Sequence, residues 1–245
     1  MNQMANYNPT ITAVMISLND EKIIEACLSS IRKQDYCQDL IKIVILDGGS
    51  TDNTVSIAKK YNADVIVRSD LKDSPNIRGG IALTTAKSDL ILFLSADNRL
   101  QEDSVLSTMV HALADQEIVA CETLRYGFHQ SDPLLSRYFA LIGGNDPIAV
   151  GLGKADRGPY DRDDWHGYGE AVDCDFYYKV SFQKDAARIP TIGANGFLIK
   201  RKFLDKTNMA RNCLHIDMCV ELILLGHNKF SFLKDKHVIH FIDLK

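Results

Sequence analysis

Ile41-Lys42-Ile43-Val44-Ile45-Leu46-Asp47-Gly48-Gly49-Ser50-Thr51-Asp52-Asn53-Thr54 is the stretch on which the reading of this chain turns. Its first six residues are a short, β-branched apolar run, the pattern of a strand buried on both faces. Asp47 then stands where that strand leaves the sheet, and Gly48-Gly49 allow a tight turn. Val55, Ala58 and Tyr61 keep a helical period, with Ser50 or Thr51 placed to cap the helix. Ligands of open α/β sheets bind just beyond the carboxyl ends of the strands. A carboxylate at Asp47 is therefore placed to accept hydrogen bonds from a nucleobase or a ribose. Taken alone, a capped turn with a solvated carboxylate is the better reading; it loses ground because the arrangement recurs twice nearby.

Upstream, Ile11 to Ser17 reads as a strand, and Leu18-Asn19-Asp20-Glu21 opens a helix with Ile23, Ile24, Cys27, Leu28 and Ile31 on one face. Asn19 or Asp20 is a natural N-cap there. Downstream, Leu90 to Leu94 is a strand that ends in Ser95-Ala96-Asp97-Asn98. Between them lie a short strand, Asp64 to Val67, and a helix over Asn76 to Lys87. Strands alternating with helices through short connections predict an α/β fold with a mainly parallel central sheet flanked by helices. Asp47 and Asp97 then project from one edge of it.

The chain has 245 residues, 46% of them hydrophobic and 24% charged, which is ordinary for a globular protein. A net charge of −4 without any basic stripe gives no reason to expect nucleic-acid binding. The cysteines form no CxxC pair, no His-Cys ligand spacing and no disulfide framework, which fits a reducing cytoplasm. No signal pattern opens the chain, and no apolar run approaches the ~20 residues that span a bilayer. Leu134 to Gly153 is apolar but broken at Gly143-Gly144-Asn145-Asp146-Pro147. A helix, a turn and a second short helix over the core is the favoured reading; an amphipathic element against a membrane or an acceptor lipid is the alternative. Regular alternation of strands and helices stops near Thr123. Residues 1–124 are read as the nucleotide-binding half and 125–245 as the half that meets the second substrate, sharing one sheet.

With these pieces placed, the chain resembles the family 2 glycosyltransferases, inverting enzymes with the GT-A fold. The motifs that carry the resemblance are Ser17-Leu18-Asn19-Asp20-Glu21 after the first strand, the helix segment Cys27 to Gln34, and Asp47 to Thr54 after the second. The resemblance is strong over 11–110 and weaker over 190–241. It implies transfer of a sugar from a nucleoside-diphosphate sugar to an acceptor hydroxyl, in cell-surface glycan synthesis. By that resemblance Asp47 holds the base, Ser17, Asn19 and Glu21 line base and ribose, and Arg78 lies near the nucleotide. Ser95-Ala96-Asp97 stands where the family has Asp-x-Asp. Asp97 is then the ligand of Mg²⁺ or Mn²⁺, a hard cation that stabilises the leaving diphosphate, with the first carboxylate replaced by Ser95. His240, after the strand Val238-Ile239, is where many such enzymes complete the metal shell. Asn195 falls in a glycine-rich loop, Ile192 to Phe197, that shapes the donor-sugar and acceptor pocket in the family.

The general base of the family opens a helix in an acidic segment, which corresponds here to His215-Ile216-Asp217. Asp217 is favoured as base and His215 is the alternative, since either side chain suits proton removal. The plainer role for Asp217 is to cap the helix. The implied acceptor is a saccharide or a lipid-linked molecule, with peripheral contact at the inner face of a membrane left open, as is the oligomeric state. Two other readings remain. A non-catalytic nucleotide-sugar-binding protein would carry Ser95 and the 215–217 segment as decayed motifs. A sugar-phosphate nucleotidyltransferase is less favoured, because no glycine-rich basic phosphate loop follows the first strand.

Overall fold

The computed structural model describes residues 7–144, 146–161, 169–185, 191–193, 195–208 and 215–242, with Pro147, His215, Ile216 and Asp217 described in their backbone alone. Its first part follows the strand–helix alternation of the sequence. β1 (Ile11–Ser17), β2 (Ile41–Asp47), β3 (Asp64–Val67) and β4 (Leu90–Phe93) are separated by α1 (Ile24–Arg32), α2 (Thr54–Lys60) and α3 (Pro75–Thr85). β5 (Asn98–Leu100), α4 (Val105–Leu113) and β6 (Ala120–Gly127) follow. Next come α5 (Leu134–Ile142) and α6 (Pro147–Gly151), then β7 (Glu170–Asp173), β8 (Tyr177–Ser181) and β9 (Phe197–Lys200). α7 (Arg201–Leu204), α8 (His215–Leu224) and β10 (Lys229–His240) close the described chain.

One ten-stranded sheet runs through both halves in the order β3-β2-β1-β4-β9-β6-β10-β8-β7, with β5 paired to β10. β3, β2, β1 and β4 are mutually parallel, so their carboxyl ends share one edge. Beyond β4 the sheet is mixed. β9 runs antiparallel to both β4 and β6, and β10 is parallel to β6 and antiparallel to β8 and β5. Residue 124 lies within β6, so the strand that carries it belongs to both halves.

The apolar runs explain this layering. β1, β2 and β4 are buried along nearly their whole length because both faces of the sheet are covered. One face packs on Ile24, Leu28 and Ile31 of α1 and on Leu106 and Met109 of α4. The other packs on Ala82 and Leu83 of α3 and on Met218, Leu222 and Ile223 of α8. The 134–153 stretch is a helix ended by Gly143 at φ 82°, then a short helix capped by Asp146, whose side chain accepts from Ile148 N and Ala149 N. Among the described residues no helix is long and apolar enough to cross a membrane.

Candidate active site

Asp47 ends β2 with its side chain fully buried. Its Oδ1 accepts from Gly49 N at 2.9 Å and Ser50 N at 2.8 Å, and Oδ2 accepts a close hydrogen bond from Ser50 Oγ. Gly49, at φ 89°, makes this return possible. Ser50 therefore serves Asp47 rather than capping α2. That end of the helix is served by Asp52, whose Oδ1 accepts from Thr54 N at 3.0 Å.

The first turn is laced to the second. Asn19, at φ 57°, donates its backbone N–H to Ser50 Oγ and accepts from Thr51 N at 2.9 Å. Glu21 Oε2 accepts from Asn53 N and Asn53 Nδ2, both at 3.0 Å. Ser17 Oγ donates to Asp20 Oδ2 at 2.8 Å. Neither Asn19 nor Asp20 caps α1 through its side chain; Ile23 N and Ile24 N bond instead to Asp20 O. The residues expected to line a base and ribose thus also build the wall on which Asp47 rests.

Arg78 is buried in α3, not an exposed helix charge. Its Nη1 donates to Ser17 O at 2.6 Å and to Leu46 O at 3.3 Å, tying β1 to β2 at their carboxyl ends. A Cβ at Gly48 would come within 2.6 Å of that nitrogen, so the glycine leaves the guanidinium its room. Replacing Arg78 by methionine keeps much of the volume and leaves Ser17 O without its charged donor. The expected loss is about 1.5–3 kcal/mol, since hydrogen bonds to charged groups contribute on that scale. Denaturant melts check it, and an unchanged midpoint would show the anchor to be dispensable.

Two strand positions away from Asp47, on the order of 10 Å, lies the turn after β4. Ser95 is exposed, Ala96 is buried, and Ser95 N donates to Asn98 Oδ1 at 3.2 Å. Asp97 is about one-third exposed, with Oδ1 accepting from Asn98 Nδ2 at 3.1 Å. Its Oδ2 lies 3.3 Å from His240 Nε2. Register produces this pairing: β10 sets His240 opposite Asn98, and Phe241 N donates to Asp97 O at 2.8 Å. A hard oxygen and an imidazole nitrogen that converge at the sheet edge suit Mg²⁺ or Mn²⁺. Among the described residues no cluster of three or more His, Cys, Asp or Glu could hold a metal. Asp97 and His240 would thus supply two ligands, leaving the rest of a shell to diphosphate oxygens and water.

Next to this pair is a buried polar group that the motifs did not single out. Tyr126 of β6 packs its ring 5.8 Å from that of His240. Its hydroxyl donates to Asp156 Oδ2 at 2.5 Å and accepts from Asn195 Nδ2 at 2.8 Å. Arg157 is fully buried, with Nη1 2.8 Å from Glu122 Oε2 and Nη2 donating to Asn195 O at 3.1 Å. Burial pushes the Glu122 carboxyl up, against the pull of the adjacent guanidinium. A sequence signal did exist: Glu122 interrupts the apolar strand Ala120 to Leu124, and a carboxylate buried in a strand requires a partner.

α8 opens at His215 and ends at Leu224, followed by Gly226 at φ 90°. The backbone of the expected base segment, His215-Ile216-Asp217, is thus helical. The side chains of His215 and Asp217 lie outside the described residues.

A parallel strand–helix half with a carboxylate at the end of β2, joined to a mixed half that brings a histidine to the turn after β4, defines the GT-A class of α/β proteins. The chain belongs to glycosyl transferase family 2, whose model matches residues 12–206. Among curated relatives it is 28% identical over 143 residues to the poly(ribitol-phosphate) beta-N-acetylglucosaminyltransferase TarS of Staphylococcus aureus, covering 57% of this chain and 22% of that protein. It is 29% identical over 113 residues to a PGL/p-HBAD biosynthesis glycosyltransferase of Mycobacterium tuberculosis, covering 44% of this chain and 43% of the relative. The match thus spans about a fifth of one relative's length and somewhat under half of the other's.

Solved structures agree on the fold. S. aureus TarS 1-349 in complex with UDP-GlcNAc matches with a TM-score of 0.65 at 16% identity, covering 96% of this chain and 59% of that one. A mannosyltransferase of Pyrobaculum calidifontis in complex with GDP-Man and Mn²⁺ matches at 0.63 and 17%, covering 94% and 56%.

Proposed function

We propose that the chain is an inverting glycosyltransferase that moves a sugar from a nucleoside-diphosphate sugar to an acceptor hydroxyl in surface-glycan synthesis. The observation that carries this reading is the convergence of Asp97 and His240, 3.3 Å apart, on the sheet edge that also holds Asp47. Asp47 holds the base, supported by Ser17, Asn19, Glu21 and Arg78. Asp97 and His240 hold a divalent cation, which when bound neutralises charge on the leaving diphosphate. The α8 opening brings Asp217, or His215, to the acceptor hydroxyl as general base. Asn195, whose amide is bonded to the Tyr126 hydroxyl beside His240, is read as the residue that meets the sugar.

The acceptor is taken to be a saccharide or lipid-linked molecule; the relatives are named as a poly(ribitol-phosphate) beta-N-acetylglucosaminyltransferase and a PGL/p-HBAD biosynthesis glycosyltransferase. Peripheral membrane contact is supported by Leu134, Ile148 and Leu152, exposed on α5, α6 and the turn after α6. The location is read as cytoplasmic, at the inner face of the membrane, in keeping with the free cysteines among the described residues. The alternative of a non-catalytic nucleotide-sugar-binding protein is separated from it by slow, metal-dependent donor hydrolysis, which a binding protein would not perform.

Asp47→Asn tests the base-holding role. The amide keeps an oxygen for Gly49 N and Ser50 N, so the turn survives while the charge is lost. Affinity for the preferred nucleoside diphosphate is expected to fall about 10–100-fold, the range for a hydrogen bond to a charged acceptor. Calorimetry with UDP and GDP reads the change; unaltered binding would place the base elsewhere.

A further inference from the structure

The described residues between 191 and β9 are held by specific bonds along an unusual backbone path. Gly193, Asn195 and Gly196 all have positive φ, at 107°, 51° and 90°. Asn195 tolerates this left-handed conformation better than most side chains, and surrounding bonds hold it there. Those bonds come from two directions. Gly196 N donates to Phe93 O at 2.8 Å, which fixes the loop to the end of β4. Asn195 is fixed at both its side chain and its carbonyl, by Tyr126 and Arg157 respectively.

Tyr126 occupies a singular place in this arrangement. It is 2% exposed, its hydroxyl is committed to both Asn195 and Asp156, and its own carbonyl accepts from Tyr160 Oη at 2.8 Å. One face of its ring region meets His240 and Arg157 Cζ stands 5.0 Å from its centroid. Arg157 extends the same frame, since Nη1 also donates to Asp156 O at 2.9 Å and pairs with buried Glu122 on β6. A rigid strand thus carries one tyrosine that touches the cation pair, the 156–160 segment and the Asn195 loop. An amide held so firmly is a fixed donor and acceptor set, which is how a site discriminates among hydroxyl patterns.

We infer that Tyr126 is a positioning residue for donor-sugar selection, acting through Asn195, in the site proposed above; the inference rests on that nucleotide-sugar reading. Tyr126 itself does not touch the sugar. Its hydroxyl locks the Asn195 amide in one orientation, with Asp156 fixing the hydroxyl in turn, and Glu122 and Arg157 hold the loop backbone. Donors that share a base and differ at the sugar are then separated by Asn195, whereas the diphosphate is held by Asp97 and His240 without it.

The test uses the whole chain and binding alone. Mn²⁺ complexes of UDP, GDP, UDP-glucose, UDP-N-acetylglucosamine, UDP-galactose and GDP-mannose are titrated calorimetrically into wild type and Tyr126→Phe. Phenylalanine keeps the ring against His240 and Arg157 and deletes only the hydroxyl. Affinity for the bare nucleoside diphosphate is expected to stay within about twofold, while the preference among sugars on one base shrinks by roughly tenfold, the scale of one hydrogen bond made or lost. Arg157→Lys, which keeps the charge but cannot span Glu122 and Asn195 O together, is expected to shrink the preference in the same way. Unchanged sugar preference in Tyr126→Phe overturns the inference. So does a loss of bare diphosphate affinity in step with it, because the tyrosine would then act through His240. A wild-type protein that binds none of the panel overturns the nucleotide-sugar reading itself, and the inference with it.

Discussion

Asp97→Asn is expected to lower turnover roughly 10²–10³-fold on the proposed reading, because a divalent cation anchored there would supply several kcal/mol of transition-state stabilisation and each ~1.4 kcal/mol is tenfold in rate. The substitution is conservative in every other respect. Asparagine can still accept from Asn98 Nδ2 through its oxygen and leaves the backbone bond from Phe241 N to Asp97 O intact. What it removes is the negative oxygen that faces His240 Nε2. A steady-state assay of donor hydrolysis across a Mn²⁺ titration reads the effect. Excess chelator should bring wild type down to the level of the variant. Equal turnover in chelator, or a wild-type rate in Asp97→Asn, would remove the metal from the reaction.

The largest effect is expected at the opening of α8. Asp217→Asn preserves shape and removes basicity, so turnover should fall roughly 10²–10⁴-fold with donor affinity nearly intact. In-line displacement needs the base on the face opposite the leaving diphosphate, within about 2.6–3.2 Å of the acceptor oxygen or one water away. Full activity in Asp217→Asn with a dead His215→Ala moves the role to the histidine. If both variants stay active, the base lies elsewhere.

Legibility differed sharply along the chain, for physical reasons. β1, β2 and β4 could be read because each is a buried apolar run whose carboxylate or amide turn follows at once. Their register needed no long-range information, since parallel neighbours joined by a helix have little choice of arrangement. The roles inside those turns were less legible. Ser50 and Asn19 were read as helix caps, which is what such residues do beside an isolated helix. In the folded protein the two turns face each other, and Asn19 bonds Thr51 across 32 residues of sequence instead.

The partnership of Asp97 with His240 depends on β10, which lies between β6 and β8, also pairing its last residues with β5, a register that no local pattern encodes. Glu122 carries a signal, as a carboxylate inside a buried strand, but nothing local names its partner. Arg157 reaches Glu122, and the Tyr126 hydroxyl meets Asp156 and Asn195, only through contacts distant in sequence.

The place of β9 has a consequence for how the chain reaches its folded state. β9 sits between β4 and β6, so the four parallel strands of the first hundred residues end in an unsatisfied edge until residues 197–200 dock. On a ribosome that edge is bare for about a hundred further residues of synthesis, which at about 5–20 residues per second is several seconds. An apolar strand with open hydrogen-bonding groups is a template for pairing with other chains. The β4 edge, Leu90-Ile91-Leu92-Phe93, has no charge or proline to blunt it. Aggregation during expression, and in any fragment that stops short of β9, would therefore begin there, and holding nascent chains at low temperature or with a chaperone would protect this strand before any other.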